Sequence, residues 1–159
     1  MDESKEYYFR AYNADDLSFI SSSWGKCYYN TSVYSKLMSP QDFHAYHRPI
    51  RSNILSSKDC TIIVISAKND PLLIVAWMCI EIPPSNQGMI LHFIYVKEAF
   101  RGMGLAKELL AMLEKHFDNK KNKNVMYTHL THRGSKILKS KQESFSNYYY
   151  TPHLILKGD

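Results

Sequence analysis

No apolar run in the 159 residues approaches the roughly 20 needed to cross a bilayer. The first residues, Met1-Asp2-Glu3-Ser4-Lys5-Glu6, are charged and contain no apolar stretch. No secretory leader is therefore expected, no membrane partner, and a cytoplasmic location. Cysteine is scarce: Cys27, Cys60 and Cys79 show no CxxC pair and no metal-ligand spacing. That argues against a disulfide framework or a metal site and for small core hydrophobes in a reducing compartment. Internal repeats and low-complexity linkers are also missing, so one domain over residues 1–159 is expected. Two phosphate-binding signatures fail. There is no GxxxxGK[ST], and the dinucleotide pattern GxGxxG breaks because Lys107 occupies the place of the third glycine.

What is present is an ordinary globular balance, with 45% hydrophobic and 22% charged residues. The formal net charge is +5, part of it in Lys120-Lys121-Asn122-Lys123 after a helical stretch. A basic face suits a cofactor carrying several phosphates. A nucleic acid is not favoured as partner, because no recognisable module interleaves aromatic and basic residues there.

The pattern of elements predicts an α/β fold. Tyr7 to Tyr12 reads as a first strand and Asn13-Ala14-Asp15-Asp16 as a capped helix start. Ser39-Pro40-Gln41-Asp42 opens a second helix running to about Ser56, which Pro49 is expected to kink or interrupt. Strands follow at Thr61–Ile65, Leu72–Ile80 and Met89–Val96. Leu105, Leu109, Leu110, Leu113 and Phe117 then recur at helical spacing. Val125–Leu130 is a further strand and Ser135–Lys141 a short basic helix. Tyr148-Tyr149-Tyr150 and Leu154-Ile155-Leu156 are strand-like around Pro152. The order implies a central mixed sheet flanked by helices, not a doubly wound parallel one.

Gly102 and Gly104 stand between a strand and the start of a long amphipathic helix. Helix starts expose unpaired N–H groups with partial positive charge, and glycine lets a bulky anion come close to that backbone. A pyrophosphate fits such a place. The glycines alone are equally consistent with a tight turn.

The wider spacing adds a resemblance. Ile94 to Leu110, with Arg101, Gly104 and Ala106 in the motif positions and Phe100 before the arginine, resembles the core motif of the GNAT acetyltransferases. That family often carries proline where Glu98 stands. Tyr95-Val96-Lys97 before the loop is also similar to small bacteriophage members. The resemblance implies a GNAT-like acyl-CoA N-acyltransferase fold with a mixed, mostly antiparallel sheet. It implies acetyl-CoA as cosubstrate and an amine acceptor of unspecified kind. The backbone of Arg101, Gly102, Met103, Gly104, Leu105, Ala106 and Lys107 would cradle the pyrophosphate. The strand Phe93, Ile94, Tyr95 and Val96 would pair with the pantetheine arm, in a gap where it splays from Val125–Leu130. Lys107, Lys136 and Lys139 are candidates for the remaining phosphate or plain surface residues.

Acetyl transfer to an amine needs a base for the ammonium proton and, for the leaving thiolate, an acid. His92 is the first candidate base. It lies nine residues before Arg101, a spacing similar to that of the histidine in arylalkylamine acetyltransferases. Strand alternation puts His92 with Ile94 and Val96, unless an irregularity upsets the parity. Glu81 is the alternative base. The helical tyrosine that many family members use as acid has no counterpart in Thr131–Lys139. Tyr148 is the substitute, with Tyr127 and Tyr149 beside it in sequence. The missing tyrosine keeps open a catalytically idle module that binds acetyl-CoA or a protein partner. Trp24, Tyr28, Tyr29, Tyr34, Phe43 and His47 line a substrate pocket or form helix core.

Overall fold

β-Branched and aromatic runs, separated by turn residues, pair here as a meander that turns parallel at its end. A computed structural model describes residues 6–32, 34–83, 88–115, 124–142, 148–152 and 154, without side chains for 138–142. The strands are β1 (Tyr7–Ala11), β2 (Cys60–Ala67), β3 (Ile74–Glu81), β4 (Met89–Val96), β5 (Val125–Tyr127) and β6 (Tyr148–Tyr150). They form a six-stranded sheet in the order β1-β2-β3-β4-β5-β6. The first three pairings are antiparallel; β4–β5 and β5–β6 are parallel. The helices are α1 (Leu17–Thr31), α2 (Pro40–Ser56), α3 (Leu105–Lys115) and α4 (His132–Gln142). None is long and apolar enough to cross a membrane among the described residues.

The caps act where the sequence places them. The Asn13 side chain accepts from Asp15 N, and the Asp16 carboxylate accepts from Asn13 N (2.8 Å). Ser39 Oγ accepts from Asp42 N (3.1 Å) at the start of α2, with Pro40 in the first turn. Pro49 does not interrupt α2, which runs through it from Pro40 to Ser56. It forfeits one backbone donor, but Phe43 and His47 before it and Arg51 and Ile54 after it are all buried, so packing holds both halves in one helix.

The sheet divides two cores. On one face, Leu105, Leu109, Leu110 and Leu113 of α3 pack on Val75, Met78, Ile80, Met89 and Leu91. On the other, Ile20, Trp24 and Tyr28 of α1 and Phe43 and Ile54 of α2 pack on Ile62, Val64, Trp77, Cys79 and Phe93.

Two departures from sequence expectation shape the site. First, β5 ends at Tyr127, not at Leu130, and α4 starts at His132, earlier than Ser135. Only Met89, Ile90 and Leu91 of β4 find partners on β5, and Thr128 N to Leu91 O (3.2 Å) is the last rung. Second, the β3–β4 register shifts between Cys79 and Ile80, whose partners are Phe93 and Leu91. His92 is thus the extra residue of a bulge, which reverses strand parity. Met89 and Leu91 face α3 before it, and Ile94 and Val96 face α3 after it. Leu154 lies in a 3-10 turn and not in a strand. Ile155 and Leu156, Phe117 and Lys120–Lys123 fall outside the described residues.

Leu109 has no exposed surface. Leu109→Ala leaves a cavity between α3 and the sheet and is expected to cost about 2–5 kcal/mol, measured by urea unfolding.

Candidate functional site

Below the last β4–β5 rung the two strands part, and the gap opens into a cavity of about 610 Å³. The segment from His92 to Val96 keeps its β3 partners through Val96↔Ala76, Tyr95↔Trp77 and Ile94↔Met78, but has no β5 partner. Its alternate backbone groups on that side are therefore available to an extended ligand.

At the end of β4 the chain turns through residues 98–100 into the glycine loop. Gly102 and Gly104 both have positive φ, 84° and 80°. A Cβ built on either would meet no protein atom within 4 Å, so these positions face open space at the cavity. Only glycine takes this backbone without strain. The first hydrogen bond into α3 runs from Glu108 N to Gly104 O (3.0 Å). The N–H groups of Leu105, Ala106 and Lys107 therefore have no helical acceptor, and these three residues line the cavity. Arg101 Nε donates to Val96 O (3.0 Å), tying the loop to the end of β4. Arg101, Lys107, Arg133 and Lys136 line the cavity, and no carboxylate does among the described residues. This potential and the helix start suit a polyanion.

Of the sequence-derived cofactor residues, Phe93, Ile94, Val96, Arg101, Gly102, Gly104, Leu105, Ala106 and Lys107 line this cavity. The Tyr95 ring instead stacks on Trp77 on the α1 side, and the Met103 side chain is largely exposed. The Lys139 side chain lies outside the described residues. Cys27, read from the sequence as a core hydrophobe, lines the cavity from α1 with Thr31, and His129, Thr131 and Arg133 line it beyond β5; sequence reasoning gave these four no role in the site. The four-residue spacing of Cys27 and Thr31 along one helix was the available signal for the first pair. Thr131 Oγ1 accepts from Gly134 N (2.9 Å) at the start of α4, and Thr131 bridges to Ser32 at the end of α1.

The catalytic candidates do not converge as a set. His92 is buried, lines the cavity and is bonded at both ring nitrogens: Nε2 is 3.1 Å from Glu81 Oε1 and Nδ1 is 2.8 Å from Thr128 Oγ1. Glu81 therefore meets His92. Tyr148 stands apart. It packs on the α3 face, its hydroxyl donates to Glu114 Oε1 (3.0 Å), and burial beside that carboxylate pushes its hydroxyl pKa up. Of the other tyrosines, Tyr127 lines the cavity and Tyr149 is half exposed.

The contacts of His92 continue inward. Thr128 Oγ1 is 2.8 Å from His129 Nδ1, and His129 Nε2 is 3.0 Å from His47 Nε2. His47 Nδ1 is 3.2 Å from Arg51 Nη1, and Arg51 Nε donates to Ser21 Oγ (3.0 Å). Trp24 and Tyr28 enclose this chain, with ring centroids 5.3 Å and 4.8 Å from that of His129. The proposed aromatic lining is thus mainly core, wrapped around a polar thread. No group of three or more metal-ligating side chains occurs among the described residues.

A model of the GNAT acetyltransferase family matches residues 20–136, most of the chain. The chain belongs to that family. Its fold is similar to that of YycN from Bacillus subtilis, a candidate acetyltransferase (16% identity, 87% of this chain and 90% of that one, TM-score 0.68). It is also similar to a GCN5-related N-acetyltransferase from Ralstonia eutropha (15% identity, 84% and 90%, TM-score 0.64). A third likeness is to the PaiA N-acetyltransferase of Thermoplasma acidophilum, solved with coenzyme A (14% identity, 86% and 89%, TM-score 0.61). Comparison with curated proteins gives no match. The family and the fold point to acyl-CoA-dependent acetyl transfer.

Burial, the Arg51 charge and His44 hold the His47 pKa down, from 6.5 to about 3, and burial with His47 and His92 nearby lowers that of His129. The unfolded chain restores ordinary values, so at acid pH it binds more protons than the folded one. Stability is therefore present above about 6.5 and is lost as pH falls toward 3. Urea midpoints are expected to drop between about pH 7 and pH 5, and less steeply in His47→Gln.

Proposed function

We propose that the chain is a single-domain, acetyl-CoA-dependent N-acetyltransferase acting on an amine acceptor. The observation that carries this reading is the continuity of three features along one cavity. The open edge of β4 leads to the positive-φ Gly102 and Gly104, and these lead to the unpartnered amides at the start of α3. The backbone of Phe93 to Val96 would hold the pantetheine arm. The amides from Gly102 to Lys107 would hold the pyrophosphate, with Lys107 and Lys136 near the remaining phosphate. The bound thioester supplies the acetyl group. The protein orients the acceptor beside His92 and receives its proton.

A second reading, a module that binds acetyl-CoA or a protein partner without turnover, is favoured by one observation. The sequence of α4 contains no tyrosine, and Tyr148 is turned into the α3 core, where its hydroxyl meets Glu114. Turnover with a panel of amines separates the two readings.

Acetyl-CoA is expected to raise the melting temperature, since a ligand at a hundred times its Kd adds about 2.7 kcal/mol. Gly104→Asp places a carboxylate where the pyrophosphate would lie, in a backbone that already disfavours a side chain, and is expected to abolish calorimetric binding while the protein stays folded. If the parent shows neither a thermal shift nor heat of binding, the acetyltransferase reading is wrong. If Gly104→Asp binds like the parent, the loop assignment is wrong.

A further inference from the structure

Arg51 is an odd residue to find where it lies. It is only 8% exposed, with no carboxylate within ion-pair distance among the described residues. Its guanidinium sits where a side chain on Gly25 would be, since a Cβ there would come within 2.9 Å of Nη1. A buried cation without a counter-ion is costly, so its neighbours must satisfy it as acceptors. Those neighbours begin the chain that ends at Glu81.

Guanidinium donates only. Arg51 Nη1 therefore donates to His47 Nδ1, which carries no proton. Neutral His47 bears its proton on Nε2 and donates to His129 Nε2. Neutral His129 in turn bears its proton on Nδ1 and donates to Thr128 Oγ1. The threonine hydrogen is left for His92 Nδ1, and His92 donates from Nε2 to Glu81 Oε1. The donors as far as His129 follow from Arg51; a threonine hydroxyl could accept from both rings, so at Thr128 the direction is closed from the other end, where His92 donates to the Glu81 carboxylate. The opposite polarity would set an N–H of His47 against an N–H of Arg51. The chain runs from a group that cannot accept to a carboxylate that, ionised, cannot donate.

We propose that Arg51 is a positioning residue for the acetyl-transfer site, setting through His47, His129 and Thr128 which nitrogen of His92 carries the proton, so that Glu81 is the group that takes up the proton of the acceptor. This rests on the acetyltransferase reading. His92 in this tautomer has its lone pair committed to Thr128 and its proton committed to Glu81, so it orients the carboxylate instead of acting as the base. The acceptor's N–H bond breaks and its electron pair stays on nitrogen. Glu81 does not line the cavity but is one-fifth exposed, so the proton reaches it through water and forms an O–H bond on its carboxylate. Arg51, 30 residues from its Ser21 contact, takes part without touching the cavity.

The test is the ring-nitrogen NMR spectrum of the full, uniformly ¹⁵N-labelled chain at neutral pH without ligand. The expected pattern is protons on Nε2 of His47, Nδ1 of His129 and Nε2 of His92. Arg51→Met is expected to mix or invert the pattern at His129. Arg51→Lys, whose ammonium also only donates, is expected to restore it. With a turned-over amine, Arg51→Met should lower kcat per folded molecule tenfold or more, while the calorimetric affinity for acetyl-CoA stays unchanged. A parent spectrum with His129 protonated on Nε2 overturns the proposal even if Arg51→Met does not fold. So does a pattern or a kcat that Arg51→Met leaves unchanged. Failure of the parent to bind acetyl-CoA defeats the acetyltransferase reading instead, and the spectrum still decides the tautomers.

Discussion

The structure turns on the point where two parallel strands stop pairing. β4 and β5 share only three register pairs before Thr128 N to Leu91 O closes the ladder. Beyond it, the backbone of β4 has donors and acceptors on one side and, among the described residues, no strand to meet them. Buried backbone polar groups need partners. A cavity lined by such groups is stable in water only if solvent or a ligand supplies them. The bulge at His92 sits at this fork and re-aims the strand. It lets Leu91 and Ile94 face the same core while His92 turns out of the alternation toward Glu81 and Thr128.

The two faces of the sheet have different tasks. The α3 face is apolar and regular, and its tight packing holds the helix start against the end of β4. The Arg101–Val96 bond adds a short tie at the same place. The α1–α2 face is mixed: aromatic rings surround three histidines, a threonine and an arginine that, among the described residues, bond to one another and to serine or glutamate. Half-satisfied, such a thread would be a liability in a core; fully satisfied, it specifies a single arrangement.

Much of this was legible in the residues. Ser39-Pro40 and Asn13 announced their helices by capping chemistry, and the leucines of α3 by spacing, because both are local signals. Arg101 to Ala106 announced the loop for the same reason. What could not be read was long-range. Pro49 suggested a kink or an interruption, yet buried residues on both sides keep α2 one continuous helix. Thr128 to Leu130 are ordinary strand residues by type, and only the absence of a partner takes them out of the ladder. Tyr148 was placed beside the chemistry by its position after β5, yet strand parity turns it toward Glu114. Arg51, Thr128 and His129 carry no signal along the chain, since their meaning comes from contacts between residues such as 47 and 129, or 92 and 128.

Those separations bear on how the molecule assembles. The β2–β3–β4 meander closes by short connections. The cleft is held by ties of another order: Ser32 to Thr131, the Tyr34 and Tyr150 hydroxyls at 2.9 Å, and His47 to His129. Each closes a loop of most of the chain's length, and such closures come at the greatest entropic cost and therefore late. The contacts that tie the walls of the cleft together are thus among those of large sequence separation, whose loop closure carries a high entropic cost.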